Sequence, residues 1–488
     1  MIGPSVRGRP GPRRWRITLA DHQAEYPADP EQTSPVVKSS AWPRSDAVAL
    51  GLALGLILLA AIVGHQLNRA GRPIVLPSPP LLAYWDPHIG WGTPLAVGCL
   101  LAGLQLQRRA NLLAWPRLLL TGWLLNLAWM CSLTLVDGWR RGWVDVLLDP
   151  NEYLHDLPRI DDPRTFLATF TDYIAFGNGV DGSTVWTTHV AGHPPLATLV
   201  FWLLNRIGLG GGFWAGAVCI LAGSAVSVAL PVVLRELGAA PAARRLVPFV
   251  ALFPGAVWMG VSADGLFAGV AVSGLALVCV GAVRSRPLAS LAGGVLLGTA
   301  VFLSYGLVLF GLVVLIPVVL TIRRTGWRVS VGPWLVALVG AGTVIGVHAG
   351  LGFHWLTGLG QLRIRYYQGI AAQRPFSYFI YANFAAWLIS CSPLLAVGIT
   401  RSIGVLRRGR HAWSPDHVVA WLALSGVCAA LVADLSGLSK AETERIWLAF
   451  GAVAYAGLAL LSGRRASWAL AGCASTALLV NHLFDTGW

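Results

Sequence analysis

The chain has 488 residues, of which 55% are hydrophobic and only 12% are charged, and its formal net charge is +14. A mean hydropathy of +0.64 excludes an ordinary soluble globular domain. The positive charge comes largely from arginines at the ends of apolar runs, so membrane orientation explains it and we expect no nucleic-acid partner.

The apolar runs predict an all-α fold, a polytopic transmembrane helical bundle. Runs of roughly 17 to 25 apolar residues are long enough to cross a bilayer as helices, which satisfy their own backbone hydrogen bonds. We expect about 13 spans, with boundaries at 46–66, 91–106, 118–136, 213–234, 247–262, 264–282, 287–303, 306–321, 332–351, 379–399, 417–434, 446–462 and 467–484.

Basic residues set the predicted orientation. If the N-terminus is cytoplasmic, two thirds of the 36 Lys and Arg residues fall on the cytoplasmic side and most acids fall on the other. Because Lys and Arg accumulate in cytoplasmic loops, we predict a multi-pass plasma-membrane protein with its C-terminus outside the cytoplasm. Residues 1–45, basic and rich in Pro and Gly, are expected to form a disordered cytoplasmic tail.

Residues 137–212, here called the polar loop, interrupt the apolar runs. Charge is costly inside hydrocarbon, so we place the whole loop at the outer face. It holds nine of the 22 acidic residues of the chain, namely Asp137, Asp145, Asp149, Glu152, Asp156, Asp161, Asp162, Asp172 and Asp181.

Two stretches of the polar loop have the pattern of amphipathic helices that lie along the membrane, 144–157 and 164–174. Such helices would aim carboxylates at a common cleft. Taken singly, each acid is also explained as a solvated side chain or a helix cap, and Asp161-Asp162-Pro163 is a good start for the second helix.

A His-rich motif, Trp186 to Leu196, ends the polar loop. Its two histidines, His189 and His193, could face a site as hydrogen-bond donors or as metal or phosphate contacts, or the motif could be only a stiff turn. Pro194-Pro195 forces an extended bend before a helix that Pro can start. We expect 193–209 to lie at the outer interface, because counting it as a span would reverse every later basic loop.

Three later motifs also carry charge at the predicted outer face. Asp264, in Ser262-Ala263-Asp264-Gly265, is either a functional acid at the edge of hydrocarbon or part of a helix cap. The loop 352–378 carries Arg363 and Arg365, which suit either an anionic headgroup or the membrane surface. Arg445, in the segment 440–448, suits a lipid phosphate or a local pair with a glutamate.

Taken in chain order, these motifs resemble the GT-C superfamily of polyprenyl-phosphate-sugar glycosyltransferases. The residues that carry the resemblance are the outer-face acids, His193-Pro194-Pro195-Leu196, Ser262-Ala263-Asp264-Gly265 and Glu444-Arg445-Ile446-Trp447-Leu448. The closest analogies are to the protein O-mannosyltransferases and the aminoarabinose transferases that modify lipid A.

The resemblance covers residues 118–462, which would form the catalytic core. Residues 46–117 would then be an additional N-terminal pair of spans, and 463–488 the last span and the C-terminus. The chain departs from the family in two ways: its large loop follows the third span rather than the first, and the Arg-Tyr pair of the family stands as Arg445-Ile446-Trp447.

The resemblance implies transfer of a sugar from a polyprenyl-phosphate donor to a hydroxyl of an envelope glycan, lipid or protein at the outer face. Such a reaction needs a carboxylate base and cations for the leaving phosphate. The base candidates, in order, are Glu152, Asp162, Asp161 and Asp145. Arg445, with Arg363 or Arg365, would hold the phosphate, while His193 and Asp264 would orient the donor.

Three alternatives remain open from the sequence. A divalent cation held by paired acids would add to the same chemistry. A lipid-linked saccharide flippase would need ionisable residues along a midplane path, and a non-catalytic envelope-assembly protein would use the acids only for docking. The enzyme interpretation requires the acids of 145–162 to lie within about 15 Å of Arg445 and Asp264, since direct reach to reacting groups is near 3 Å.

Overall fold

A computed structural model describes residues 42–72, 74–177, 185–408 and 414–487. The predicted tail therefore lies outside the described residues except for 42–45, and Asp181 of the polar loop also lies outside them.

Helices make up almost all regular structure in these ranges, which confirms the all-α class. The α-helices are, in chain order, α1 Arg44–Arg69, α2 Gly92–Arg109, α3 Trp115–Thr134, α4 Tyr153–Asp156, α5 Pro163–Thr169, α6 Thr188–Gly192, α7 Pro195–Arg206, α8 Gly212–Ser224, α9 Val226–Glu236, α10 Ala240–Ala251, α11 Ala256–Met259, α12 Ala263–Arg284, α13 Pro287–Leu303, α14 Gly311–Thr325, α15 Trp327–Gly350, α16 Trp355–Gln368, α17 Phe376–Ser390, α18 Leu395–Arg408, α19 Pro415–Leu435, α20 Thr443–Ile446, α21 Leu448–Ala454 and α22 Gly463–Leu483.

Shorter elements connect these helices. A π-helical turn spans Arg140–Val144, and 3-10 turns span Val146–Leu148, Leu157–Arg159, Phe170–Tyr173, Tyr305–Phe310, Ile370–Ala372 and Tyr455–Leu460. Two strands, β1 Tyr84–Trp85 and β2 Phe484–Asp485, pair antiparallel with Tyr84 opposite Asp485, which joins the segment after α1 to the C-terminal segment.

Six helices of the described residues are long and apolar enough to cross a membrane. They are α1, α8 with α9 as Gly212–Glu236, α12, the 3-10 turn with α14 as Tyr305–Thr325, α15 and α19. A seventh is obtained if α17 and α18, which are bent by 102° at a short break, count as one span. The expected number of about 13 is not confirmed.

Several predicted spans are divided or short in the structure. The predicted span 247–262 is split between α10 and α11 around Pro254-Gly255. The break between α17 and α18 contains Ser392, whose φ is +67°, followed by Pro393, which has no backbone N–H to continue a helix. Hydropathy does not reveal these breaks, because a run stays apolar through a turn.

α12 lies at the centre of the bundle and contacts α8, α9, α13 and α21. It is apolar on all sides and mostly buried, as a central helix must be. Gly293 of α13 permits the close approach to α12, since a Cβ there would lie 2.6 Å from the Val278 nitrogen. Ser262 caps the first turn of α12 by accepting from the Asp264 N–H at 3.1 Å, and this fixes Asp264 at one end of the core.

The polar loop consists of short helices rather than two long ones. The predicted helix 144–157 is wrong, because Asp149-Pro150 interrupts it and only α4 and single turns form. Helix α7 begins at Pro195, as predicted. With 12 residues it is about 18 Å long, too short to cross the roughly 30 Å hydrocarbon core.

Candidate active site around Arg445

Arg445 joins three distant parts of the chain. It lies in the one-turn helix α20 and is only 6% exposed. Its Nη1 donates to Asp264 Oδ2 at 2.6 Å, and its Nη2 donates to Glu442 Oε2 at 2.6 Å and contacts His189 Nε2 at 3.1 Å. The end of α12, the polar loop and the segment before α21 thus meet at one guanidinium.

Arg445 and its acidic neighbours stabilise each other as ions. Burial would lower the pKa of Arg445, but the attraction of Asp264 and Glu442 outweighs it and holds that pKa above its usual range. Burial would likewise raise the pKa of Glu442, yet the guanidinium of Arg445 keeps it below the ordinary value. Both groups are therefore charged at neutral pH.

The turn before α20 has an unusual backbone. Ala441 and Glu442 have φ values of +81° and +62°, the left-handed region that non-glycine residues rarely occupy. Asn383 of α17 holds this turn: its Oδ1 accepts from Ala441 N at 3.1 Å and its carbonyl accepts from Thr443 Oγ1 at 2.7 Å. Arg374 adds a bond from Nη1 to the Lys440 carbonyl at 2.8 Å. Backbone strain that several surrounding contacts hold in place is typical of functional positions.

His189 connects Arg445 to Glu152. Its Nδ1 lies 2.8 Å from Glu152 Oε1, and its backbone N–H donates to the Asn151 carbonyl at 3.0 Å. An arginine can only donate, so His189 Nε2 accepts from Arg445, and a ring proton lies on Nδ1. The contact between Nδ1 and Oε1 is short but does not have the angles of a hydrogen bond, so His189 lies between the arginine and the carboxylate in close contact with both.

Glu152 presents a second oxygen with no hydrogen-bond partner in the described parts of the chain. The residue is 5% exposed, and its Oε2 is buried. A buried, unsatisfied carboxylate oxygen is costly, so its retention indicates a ligand or proton that binds there. Three carboxyl groups thus surround one guanidinium, those of Asp264 and Glu442 directly and that of Glu152 through His189.

Tyr153 and His193 form the adjoining wall. Tyr153 Oη and the His189 carbonyl both lie 2.9 Å from His193 Nδ1. A carbonyl can only accept, so Nδ1 carries the proton. Burial lowers the pKa of His193 to about 4 and raises that of Tyr153 well above its usual value, so both side chains are neutral at pH 7. The ring of His193 also packs against Phe267 of α12.

The other base candidates take structural roles elsewhere. Asp162 caps α5 by accepting from the Thr165 N–H and hydroxyl, both at 2.8 Å, and these bonds lower its pKa. Asp161 is exposed, and its backbone carbonyl accepts from Arg206. Asp145 pairs with Arg140 at 3.2 Å. None of the three has an ion pair or hydrogen bond to Arg445 among the described contacts.

The two arginines expected to assist Arg445 both lie on α16. Arg363 is exposed on α16, and the Arg365 guanidinium stacks over the Phe176 ring, 3.4 Å from its centroid. Arg374, from the loop that follows α16, instead braces the turn before α20.

Two residues of the cluster were not nominated from the sequence, Glu442 and Tyr153. Glu442 lies three positions before Arg445, a spacing at which a glutamate and an arginine pair on one helical turn, so a signal was present. Tyr153 had no such signal. Within the described ranges, no group of three or more His, Cys, Asp or Glu side chains is arranged to hold a metal ion, and the divalent cation stays a prediction.

Comparison with known proteins finds distant structural neighbours. No protein-family model matches the chain, and no curated protein matches it. The crystal structure of ArnT from Cupriavidus metallidurans bound to undecaprenyl phosphate is 17% identical with a TM-score of 0.37, and 71% of this chain aligns with 62% of that one. The structure of the same protein in the apo state is 17% identical with a TM-score of 0.31, over 70% of this chain and 77% of that one. ArnT is an aminoarabinose transferase of the GT-C family, the family that the sequence motifs resemble. Because the structural similarity is weak, the functional argument rests on the geometry of the cluster alone.

Proposed function

We propose that the chain is an integral-membrane glycosyltransferase that moves a sugar from a polyprenyl-phosphate donor to a hydroxyl of an envelope glycan, lipid or protein. The observation that carries the proposal is the placement of a buried carboxylate with an unpartnered oxygen, Glu152, beside a buried arginine, Arg445, through one histidine. Base and cation are thereby held within the reach of one sugar phosphate. The distribution of basic residues supports a reaction at the outer face.

Glu152 is the general base in this mechanism. The acceptor oxygen forms a bond to the anomeric carbon of the sugar, the bond from that carbon to the phosphate oxygen breaks, and the polyprenyl phosphate leaves with the electron pair. The acceptor proton goes to Glu152 Oε2, the oxygen without a partner. His189 packs against the other oxygen, with Nδ1 2.8 Å from Oε1, and leaves Oε2 for the acceptor.

Arg445 receives the leaving phosphate on one edge of its guanidinium. Its Nε and Nη2 both donate to Glu442 Oε2, at 3.2 and 2.6 Å, and this is the edge to which a phosphate binds with two parallel bonds. The Glu442 side chain is 26% exposed, against 9% for Asp264, so Glu442 is the partner that a phosphate can displace. Asp264 remains bound and keeps the guanidinium in place.

His193 and Tyr153 contribute neutral contacts beside the sugar. Neither adds charge near a cluster that already has an excess of carboxylates, and both offer ring surface and hydrogen-bonding groups to sugar hydroxyls.

Sugar transfer can be tested with the full-length protein in liposomes. Farnesyl phosphate linked to labelled mannose, glucose or arabinose is added as donor, and labelled sugar bound to an extracted envelope glycan or lipid acceptor is measured together with release of farnesyl phosphate. Transfer from at least one donor, with release of the lipid phosphate in equal amount, is the expected result.

Two other outcomes have distinct meanings. Movement of intact donor across the bilayer without cleavage would indicate a flippase and contradict the proposal. Neither cleavage nor movement for any of the three donors, with protein shown to be folded by its thermal transition, would favour a non-catalytic role.

A further inference from the structure

A cavity of about 730 Å³ lies apart from the cluster around Arg445. It opens between the C-terminal end of α2, the middle of α10 and the N-terminal end of α22. The helical segment Leu448–Leu460 begins just after Arg445 and ends just before this cavity. A segment of that length measures roughly 20 Å, so one molecule the size of a sugar phosphate cannot occupy both sites.

Three arginines line the cavity, Arg108, Arg245 and Arg464, and no acidic side chain does so among the described residues. Arg245 is half-buried, and its Nε donates to the Ala459 carbonyl at 2.8 Å, so its position is fixed. No hydrogen bond to a described residue engages its other nitrogens, or the guanidiniums of Arg108 and Arg464. Their donors are therefore available to an anion.

The first turn of α22 adds backbone donors to the same cavity. The helix has 21 residues, and its capping residue Ser462 makes no side-chain bond to the first-turn amides. Those amides and the helix dipole favour an anion at this end. Just after α2, Arg244 donates to the carbonyls of Ala110 and Leu113.

The rest of the lining is apolar or neutral. Leu104, Ala471 and the exposed Trp468 form one wall, and tryptophan is enriched where protein meets the headgroup region of a membrane. Gln107 Oε1 is buried without a partner among the described residues, and an oxygen of this kind accepts a hydrogen bond from a hydroxyl. The cavity thus combines cations for a phosphate, an acceptor for a hydroxyl and an apolar wall for an acyl chain.

We propose that this cavity binds an anionic phospholipid whose phosphodiester headgroup carries hydroxyls, at the predicted cytoplasmic leaflet and independently of the reaction at Arg445. Arginines near helix ends are also expected simply from membrane orientation. Arg109 distinguishes lipid binding in the cavity from membrane orientation, because it is exposed beside Arg108 on α2 but does not line the cavity.

Binding is tested on the full-length protein in an uncharged detergent, titrated with dioctanoyl phosphatidylglycerol, dioctanoyl phosphatidylcholine or inorganic phosphate, with the thermal transition as readout. Phosphatidylglycerol should raise the transition temperature with saturation, and the other two probes should not. Arg108→Gln and Arg464→Gln should each weaken the apparent affinity about fivefold, which corresponds to about 1 kcal/mol per basic side chain, and Arg109→Gln should leave it unchanged.

Four results would overturn the proposal. Equal weakening by Arg109→Gln would mean that general surface charge attracts the lipid. Equal stabilisation by phosphatidylcholine would remove the requirement for an anion, and saturation by inorganic phosphate at the same affinity would assign the cavity to a soluble anion. A Ser467→Phe variant, which narrows the cavity without removing charge, should also abolish saturation, and retained binding would place the lipid elsewhere.

Discussion

Arg445 and Asp264 lie 181 positions apart in the sequence and form a nearly buried ion pair, with 2.6 Å between Nη1 and Oδ2. Asp264 is held by the first turn of α12, where the helix dipole favours an acid. Because Arg445 also contacts Glu442 and His189, this pair fixes the arrangement of the whole cluster. The stability of the cluster and the proposed chemistry therefore both depend on the Arg445 side chain.

Arg445→Met should destabilise the protein by about 3 to 5 kcal/mol, because it leaves buried carboxylates without their cation. Arg363→Met, which removes an exposed arginine, should cost less than about 0.5 kcal/mol. The free energy of unfolding in mixed detergent micelles measures both. Adding Asp264→Leu to Arg445→Met should recover part of the loss, and strictly additive losses would show that the two residues do not couple.

Glu442→Gln should lower the donor KM by up to about fivefold, since a partly exposed ion pair contributes at most about 1 kcal/mol and the donor phosphate must break this one. The kcat should change little, because Glu442 is displaced before the sugar is transferred. Asp172→Asn, which removes an exposed acid of the polar loop, serves as the control. An unchanged or higher KM for Glu442→Gln would mean that phosphate does not bind this edge of Arg445.

Glu444→Gln should remove part of the pH dependence of stability. Burial raises the pKa of Glu444 to about 7 from an ordinary 4.5, so the folded protein retains a proton that the unfolded chain releases. Its contribution to stability is complete below pH 4.5 and is lost as the pH rises towards 7. The transition temperature of the wild type minus that of Glu444→Gln should therefore decrease as the pH rises from 4.5 to about 7. A constant difference would show that Glu444 does not titrate in this interval.

Much of the cluster could be predicted from the sequence, because its residues interrupt apolar runs. Asp264 and Arg445 each stand out beside a predicted span, where charge is selected against unless it has a use, and His189 stands out in the His-rich motif that ends the polar loop. The start of α7 at Pro195 was also predicted, because Pro194-Pro195 favours a bend followed by a helix. Its position at the outer interface, which rests on the distribution of basic residues, stays a prediction.

The choice among the acids could not be predicted, because it depends on turns that local patterns do not specify. Asp149-Pro150 ends one short helical segment and α4 begins after it, which brings Glu152 to His189 while Asp162 caps α5. The strained turn at Glu442 likewise depends on Asn383, 58 positions from Ala441. The bend at Ser392 was missed for a related reason, since it leaves no mark on mean hydropathy.

The most direct test of the account compares Glu152→Gln with Asp161→Asn in the liposome transfer assay. Both changes remove one carboxylate of the polar loop with little change of shape, but only Glu152 belongs to the cluster. Glu152→Gln should lower kcat by about 10² to 10⁴-fold, the contribution of a general base, while Asp161→Asn should retain wild-type transfer. Wild-type kcat for Glu152→Gln, or an equal loss for both variants, would contradict the assignment of the base.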